Sequence, residues 1–288
     1  SMTPSNNLPQ PTVGVVLATY NGETFLAEQL RSLFDQIRRP DRIVIVDDGS
    51  TDRSIEIART MLESSGIDFE IVLSDRAGVA GAFVRGFETI KTDLIFPCDQ
   101  DDFWKPDKIS KLADALSSSE IGMAFCNADL VDAELKPMNR TLFDRVEFDA
   151  STRERLRKGD VAQLVKRNRA AGACMAFRST HLIDILPIPA GWLHDHWIAL
   201  LIALRTKIVV VDESLNLYRQ HQRQVIGARN ESSIGSAMQK RNSAGVHYER
   251  QVEMWTALRD RVVDRKYEQA SIELVEARLA LAHARLKL

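Results

Sequence analysis

The stretch that most constrains this chain is residues 94–102, Leu-Ile-Phe-Pro-Cys-Asp-Gln-Asp-Asp, an apolar run that ends abruptly in three carboxylates within four residues. Ile95 and Phe96 favour strand, and a short continuous apolar run reads as a strand buried on both faces of a sheet. The acids then stand at its C-terminal edge, where ligands bind in open α/β sheets. Side chains two apart on an extended backbone share a side. That pairs Asp99 with Asp101 as oxygen ligands for one hard divalent ion, Mg2+ or Mn2+, with positions left open for a diphosphate. The plainer reading is capping of a helix over residues 106–116, for which Asp102 alone would serve; three acids exceed what a cap uses.

Upstream the chain repeats one pattern. Strands are expected at residues 13–18, 43–46 and 69–73, and helices over residues 25–37, from about 52 to 65, and over 79–90. Near-continuous apolar strands separated by helices imply a parallel sheet covered on both faces, joined by right-handed crossovers. The second strand also ends in acids, Asp47 and Asp48, so two strands deliver carboxylates to one edge.

Beyond residue 116 the pattern weakens. Strands are expected at 123–126, 171–178 and 208–211, and a helix from Trp197 onward sets Asp195 at its N-terminus, where the helix dipole favours an acid. Residues 153–169 carry seven basic side chains. They read either as a solvated helix face or as a surface for an anionic, diphosphate-linked lipid acceptor. The domains expected are 12–226, a linker or mobile loop at 227–243, and a helical extension at 244–288. That extension carries apolar residues at steps of three and four. Packing on the main domain is the default for its stripe; a homodimer contact or a peripheral membrane contact are the alternatives.

A chain of 288 residues, 44% hydrophobic with formal net charge -2, is globular and no general polyanion binder, so nucleic acid is not an expected partner. No apolar run reaches the ~20 residues that span a bilayer, and no secretory signal pattern is present. Three dispersed cysteines suit free thiols in a reducing compartment, so a cytoplasmic location is expected.

Five motifs occur in the order found in one family: residues 16–22 (Val-Leu-Ala-Thr-Tyr-Asn-Gly), 45–52 (Ile-Val-Asp-Asp-Gly-Ser-Thr-Asp), 99–104 (Asp-Gln-Asp-Asp-Phe-Trp), 194–197 (His-Asp-His-Trp) and 218–221 (Tyr-Arg-Gln-His). In these the chain resembles the inverting family 2 glycosyltransferases, and more narrowly the bacterial rhamnosyltransferase type that builds surface polysaccharides. The resemblance implies a GT-A fold: Rossmann-like α/β, a mostly parallel sheet with helices on both faces, here with a C-terminal helical extension. It implies transfer of one hexose or deoxyhexose from a UDP- or dTDP-sugar to a hydroxyl of a glycan or lipid-linked acceptor, at the inner face of the cytoplasmic membrane.

By the same resemblance Asp195 is the catalytic base. Thr19, Tyr20, Asn21, Asp47, Asp48, Arg76, Gly78, Asp99 and Gln100 hold the nucleotide, with Tyr20 stacking on the base and Asp48 accepting its imide N–H. Asp101, Asp99 and His221 hold the metal, while Asp102, Trp104, His194, Trp197 and Arg219 line the donor and acceptor pocket. The Gln-x-x-Arg-Trp signature of processive synthases is missing, which implies single addition. Two competing functions are a sugar nucleotidyltransferase, which would need a Gly-rich loop that residues 18–23 lack, and a non-catalytic nucleotide-sugar-binding subunit.

Overall fold

A computed structural model describes residues 10–221 and 237–287. The first half alternates strand and helix: β1 (Val13–Thr19), α1 (Leu26–Phe34), β2 (Arg42–Asp47), α2 (Ser54–Glu63), β3 (Asp68–Leu73), α3 (Gly78–Thr89) and β4 (Leu94–Asp99). These four strands are parallel in the order β3-β2-β1-β4.

The second half follows as β5 (Phe103–Trp104), α4 (Lys108–Ala115), β6 (Ile121–Val131), β7 (Pro137–Thr141), α5 (Leu142–Arg145), α6 (Ala150–Arg157), α7 (Ala162–Lys166), β8 (Met175–Arg178), α8 (Leu182–Ile185), α9 (His194–Ala203) and β9 (Lys207–Arg219). Here the sheet is mixed. β8 lies antiparallel to both β4 and β6, β9 runs parallel to β6, and β5 pairs antiparallel with β9. The strand expected over 171–178 splits into a 3-10 turn, Gly172–Cys174, followed by β8.

Alternation along β1 and β2 explains the two cores. Val15, Leu17, Ile43 and Ile45 pack on Leu30, Leu62 and Leu112 of α1, α2 and α4. Val16, Val44 and Val46 face the opposite way, into the core of Phe83 and Phe87 from α3 and Ile198 and Leu201 from α9.

The chain closes with α10 (Ala237–Asp264) and α11 (Gln269–Leu286). Trp255, Leu258 and Val262 of α10 and Val275, Leu279 and Ala282 of α11 share the core that holds α9. The stripe on these helices is thus covered by the main domain. Residues 227–236 of the expected linker lie outside the described residues, and α10 already begins at Ala237. Among the described residues no helix is long and apolar enough to cross a membrane.

Most basic side chains of this segment have protein partners. Arg153 and Arg157 both pair with Asp212, Arg155 with Asp160, Lys158 with Glu154 and Arg167 with Glu147. Arg169 donates to the carbonyls of Gln163, Val146 and Glu147. These partners favour the solvated-face reading over a surface waiting for an anion.

Candidate active site

A cleft of about 500 Å³ opens at the C-terminal ends of β1 and β4, and Asp48, Asp99, Asp101, Asp195 and His221 all line it. Tyr20 projects from the loop after β1 and is 43% exposed. Gln100 fixes that loop: its side-chain oxygen accepts from the Thr19 hydroxyl at 2.7 Å and the Tyr20 amide at 2.9 Å, while its Nε2 donates to the Tyr20 carbonyl at 3.1 Å. A Cβ on Gly22 would come within 2.2 Å of the Gln100 Oε1, so the loop can close on this clamp only with glycine there. Asn21, at φ 46°, accepts from the Thr51 amide and ties the loop to the turn after β2.

The Asp48 carboxylate accepts from the amides of Ala77 and Gly78 at 2.7 and 2.8 Å, at the N-terminus of α3. That geometry sets the carboxylate against the positive end of the α3 dipole. Asp47 behaves differently from its expected role. It is 1% exposed and absent from the cleft lining; its Oδ1 accepts the amides of Gly49 and Ser50 and shapes the turn. Gly78 and the exposed Arg76 also stand outside the lining, and Gly78 contributes through its backbone amide.

Asp99 and Asp101 reach the cleft through a turn at residues 100–101 rather than by alternation along a strand. Burial, then the charges of Asp101 and Asp195, push the Asp99 carboxyl up to about 7. Asp101 Oδ2 lies 2.6 Å from His221 Nε2. Among the described residues no group of three or more Asp, Glu, His or Cys side chains gathers at metal-ligand spacing. The expected trio therefore does not gather at that spacing; Asp101 and His221 are instead hydrogen-bonded to each other. One carboxylate oxygen with one imidazole nitrogen, in an acid-crowded cleft, would suit Mg2+ or Mn2+ as a hard divalent ion.

Four residues expected in the pocket lie beneath it. Asp102 is 1% exposed, accepts from the Arg219 amide at 3.3 Å and is held well above the carboxylate range by burial and by Asp101 and Asp99. Arg219, also 1% exposed, donates to the Asp101 carbonyl at 2.8 Å and pairs with Glu28 at 2.5 Å, bracing the acid loop from behind. Trp104 packs on Phe96 in the lower core. Trp197 is fully buried and donates to the Ile185 carbonyl at 2.9 Å. Large aromatic side chains near a motif go first to the core, because burying them is worth most there.

His194 does line the cleft, stacked on Phe83 with centroids 4.1 Å apart. His196 turns away, its Nε2 2.9 Å from the Leu164 carbonyl, so no His-Asp-His metal site forms. Between them, Asp195 sits in the first turn of α9. Its Oδ1 accepts from Asn168 Nδ2 at 2.9 Å and its Oδ2 from the Gly172 amide at 3.2 Å. Neither partner belongs to a recognisable motif. Gly172 could be suspected from its small neighbours, whereas Asn168 is hidden in the basic stretch.

Three comparisons place this architecture. Residues 14–185 match the family model for glycosyl transferase family 2. An uncharacterized glycosyltransferase of Nostoc sp. is 27% identical over 245 residues, 81% of this chain and 72% of that protein. The undecaprenyl-phosphate 4-deoxy-4-formamido-L-arabinose transferase of Edwardsiella ictaluri is 37% identical over 107 residues, 36% of this chain and 33% of its own length. Among solved structures, S. aureus TarS 1-349 in complex with UDP-GlcNAc superposes with a TM-score of 0.64 at 15% identity, covering 94% of this chain and 72% of that one. The mannosyltransferase PcManGT of Pyrobaculum calidifontis, in complex with GDP-Man and Mn2+, gives 0.59 at 16% identity over 99% of this chain and 78% of its own. The GT-A fold is thus shared with both solved enzymes, and the family match spans more than half the chain, from β1 to α8: this protein belongs to glycosyl transferase family 2.

Proposed function

We propose that this enzyme transfers one sugar from a UDP- or dTDP-sugar to a hydroxyl of a glycan or lipid-linked acceptor, with inversion. The observation that carries the reading is convergence. Asp48, Asp101 and Asp195, far apart in sequence, line one cleft. The Tyr20 ring at the rim offers a stacking surface to a pyrimidine, and the Asp48 oxygens keep lone pairs beyond those its amide donors use, for an imide N–H. Asp101 and His221 would hold the divalent ion, which supplies charge neutralisation to a departing nucleoside diphosphate. Asp195, oriented by Asn168 and Gly172, takes the proton of the attacking hydroxyl.

The nucleotide-sugar and Mn2+ complexes of the solved neighbours support the donor and the ion. The undecaprenyl-phosphate transferases support a lipid-linked acceptor, and with it a cytoplasmic enzyme working at the membrane's inner face. Val79, Ala82 and Leu193 in the lining would suit the methyl group of a deoxyhexose such as rhamnose.

Asp195→Asn is expected to leave donor affinity within about twofold while turnover falls by about 10²- to 10⁴-fold. Full turnover in that variant overturns the reading. A thermal-shift series of UDP- and dTDP-sugars, with and without manganese, then ranks the donors, since stabilisation follows affinity by mass action.

A further inference from the structure

One buried cation in the described structure has no part in the mechanism above. Lys108, the first residue of α4, is 0% exposed, and its Nζ lies 3.5 Å from the centre of the Trp104 ring. Burying an ammonium is costly unless it is paired or hydrogen-bonded. Its partner is the carbonyl of Ala173, to which the Nζ donates. The same carbonyl accepts from Asn216 Nδ2 at 2.7 Å, and Asn216, on β9, is likewise 0% exposed. Two buried donors from different elements thus converge on one backbone oxygen.

That oxygen lies in the 3-10 turn Gly172–Cys174, where Gly172 and Ala173 both line the cleft. One residue earlier, the Gly172 amide is the donor to Asp195 Oδ2. The turn has little freedom on its other side, because a Cβ on Gly172 would approach His194 Nε2 to 2.7 Å. The height of the turn therefore sets where the amide meets the carboxylate.

We infer that Lys108 and Asn216 are positioning residues for Asp195: together they hold the Ala173 carbonyl from below, and so fix the amide that orients the base. The inference rests on Asp195 acting as base. A shift of about 1 Å in a reacting group costs as much as a hundredfold in rate without touching the binding determinants. Among the described residues, Tyr20, Asp48 and Gln100 form no hydrogen bond with this turn; Asp99 feels the Lys108 charge, so Asn216→Ala is the variant that leaves the charge of the cleft untouched.

Lys108→Met and Asn216→Ala are the test variants, with turnover, donor KM and calorimetric donor-binding stoichiometry as readouts. Each should lower kcat by about tenfold to a hundredfold, with donor KM within twofold and one donor bound per chain. Full stoichiometry shows that the loss is not a misfolded fraction. Should Lys108→Met fail to fold, Asn216→Ala, which removes only one of the two donors, decides alone. A kcat within threefold of the unchanged enzyme, or parallel losses in kcat and donor affinity, overturns the inference. Asp195→Asn separates the two failures: inactivity there with near-normal turnover in the clamp variants sinks the clamp alone, whereas full turnover there sinks the reading beneath it.

Discussion

On one wall of the cleft, Thr19 and Asp99 end the parallel strands β1 and β4, and Asp48 directly follows β2; on the other, Asp195 rides on α9 and depends on distant segments. The wall proposed to bind the donor is built by strand ends, which a parallel sheet brings to one edge without further help. The wall proposed to carry the base is built by tertiary contact. Asn168 and Gly172 donate to the carboxylate, and α10 presses on the helix that carries it, with Arg261 over Trp197 at 5.1 Å, and on the segment just before, where Trp255 meets Trp192 at 5.2 Å. The lesson is that one cleft can pair a locally encoded half with a half that exists only when the whole chain has folded.

The hardest strain on that contrast is Trp255→Ala. Trp255 is 3% exposed in the core shared by α9 and α10, and truncating a buried tryptophan costs about 3–5 kcal/mol. Urea unfolding should show that loss. In the population that stays folded, kcat should fall while donor affinity holds. Donor affinity that fell in step with kcat would mean that the two walls are not separately built.

Gln100→Ala strains the donor wall instead, with a smaller effect. It removes the bonds to the Thr19 hydroxyl and to the amide and carbonyl of Tyr20, each worth about 0.5–1.5 kcal/mol net. Donor affinity should weaken by up to about tenfold, read by calorimetry, with turnover at saturating donor nearly unchanged. A drop confined to kcat would instead assign Gln100 to the base wall.

The same division explains what could be read from residues alone. β1, β2 and β4 announce themselves as apolar runs, and an acid after such a run marks the sheet edge, so Asp48 and Asp99 were legible. Asp195 was legible through its motif and its place at a helix start. What stayed hidden depends on long-range pairing: the insertion of β8 antiparallel between β4 and β6, the 3-10 turn before it, and the partner role of Asn168. Trp104, Trp197 and Arg219 sit within motifs yet point inward, because adjacent residues of one motif face different directions and their neighbours decide which face is core. Their proximity in sequence to site residues was no guide to exposure.

The smallest expected effect is a difference in sign between the walls as pH falls from 7.5 to 5.5. Against the base, burial lowers the pKa of His194 and of His196 from the ordinary 6.5, more than the nearby Asp195 charge raises either; Leu164 also raises His196, and Arg278 lowers it. The unfolded chain then binds more protons than the folded one below pH 6.5, so these residues give stability that is present above that pH and lost as pH drops through it. Asp99 runs the other way. Its carboxyl is raised from 3.8 to about 7, so in metal-free protein the folded state holds the extra proton, and stability gained in acid is lost as pH rises through 7. Each proton contributes at most about 1.4 kcal/mol per pH unit, so the two histidines together are bounded at about twice that. Hydrogen exchange read residue by residue should therefore show α9 losing protection at pH 5.5 while the end of β4 gains it. His196→Gln, which can still donate to the Leu164 carbonyl, should flatten the first trend and leave the second. Manganese with a bound nucleoside diphosphate should abolish the second and leave the first, because a cation beside Asp99 favours its ionised form at both pH values. If α9 and β4 shift protection in the same direction, the two walls share one electrostatic environment and the contrast between them fails.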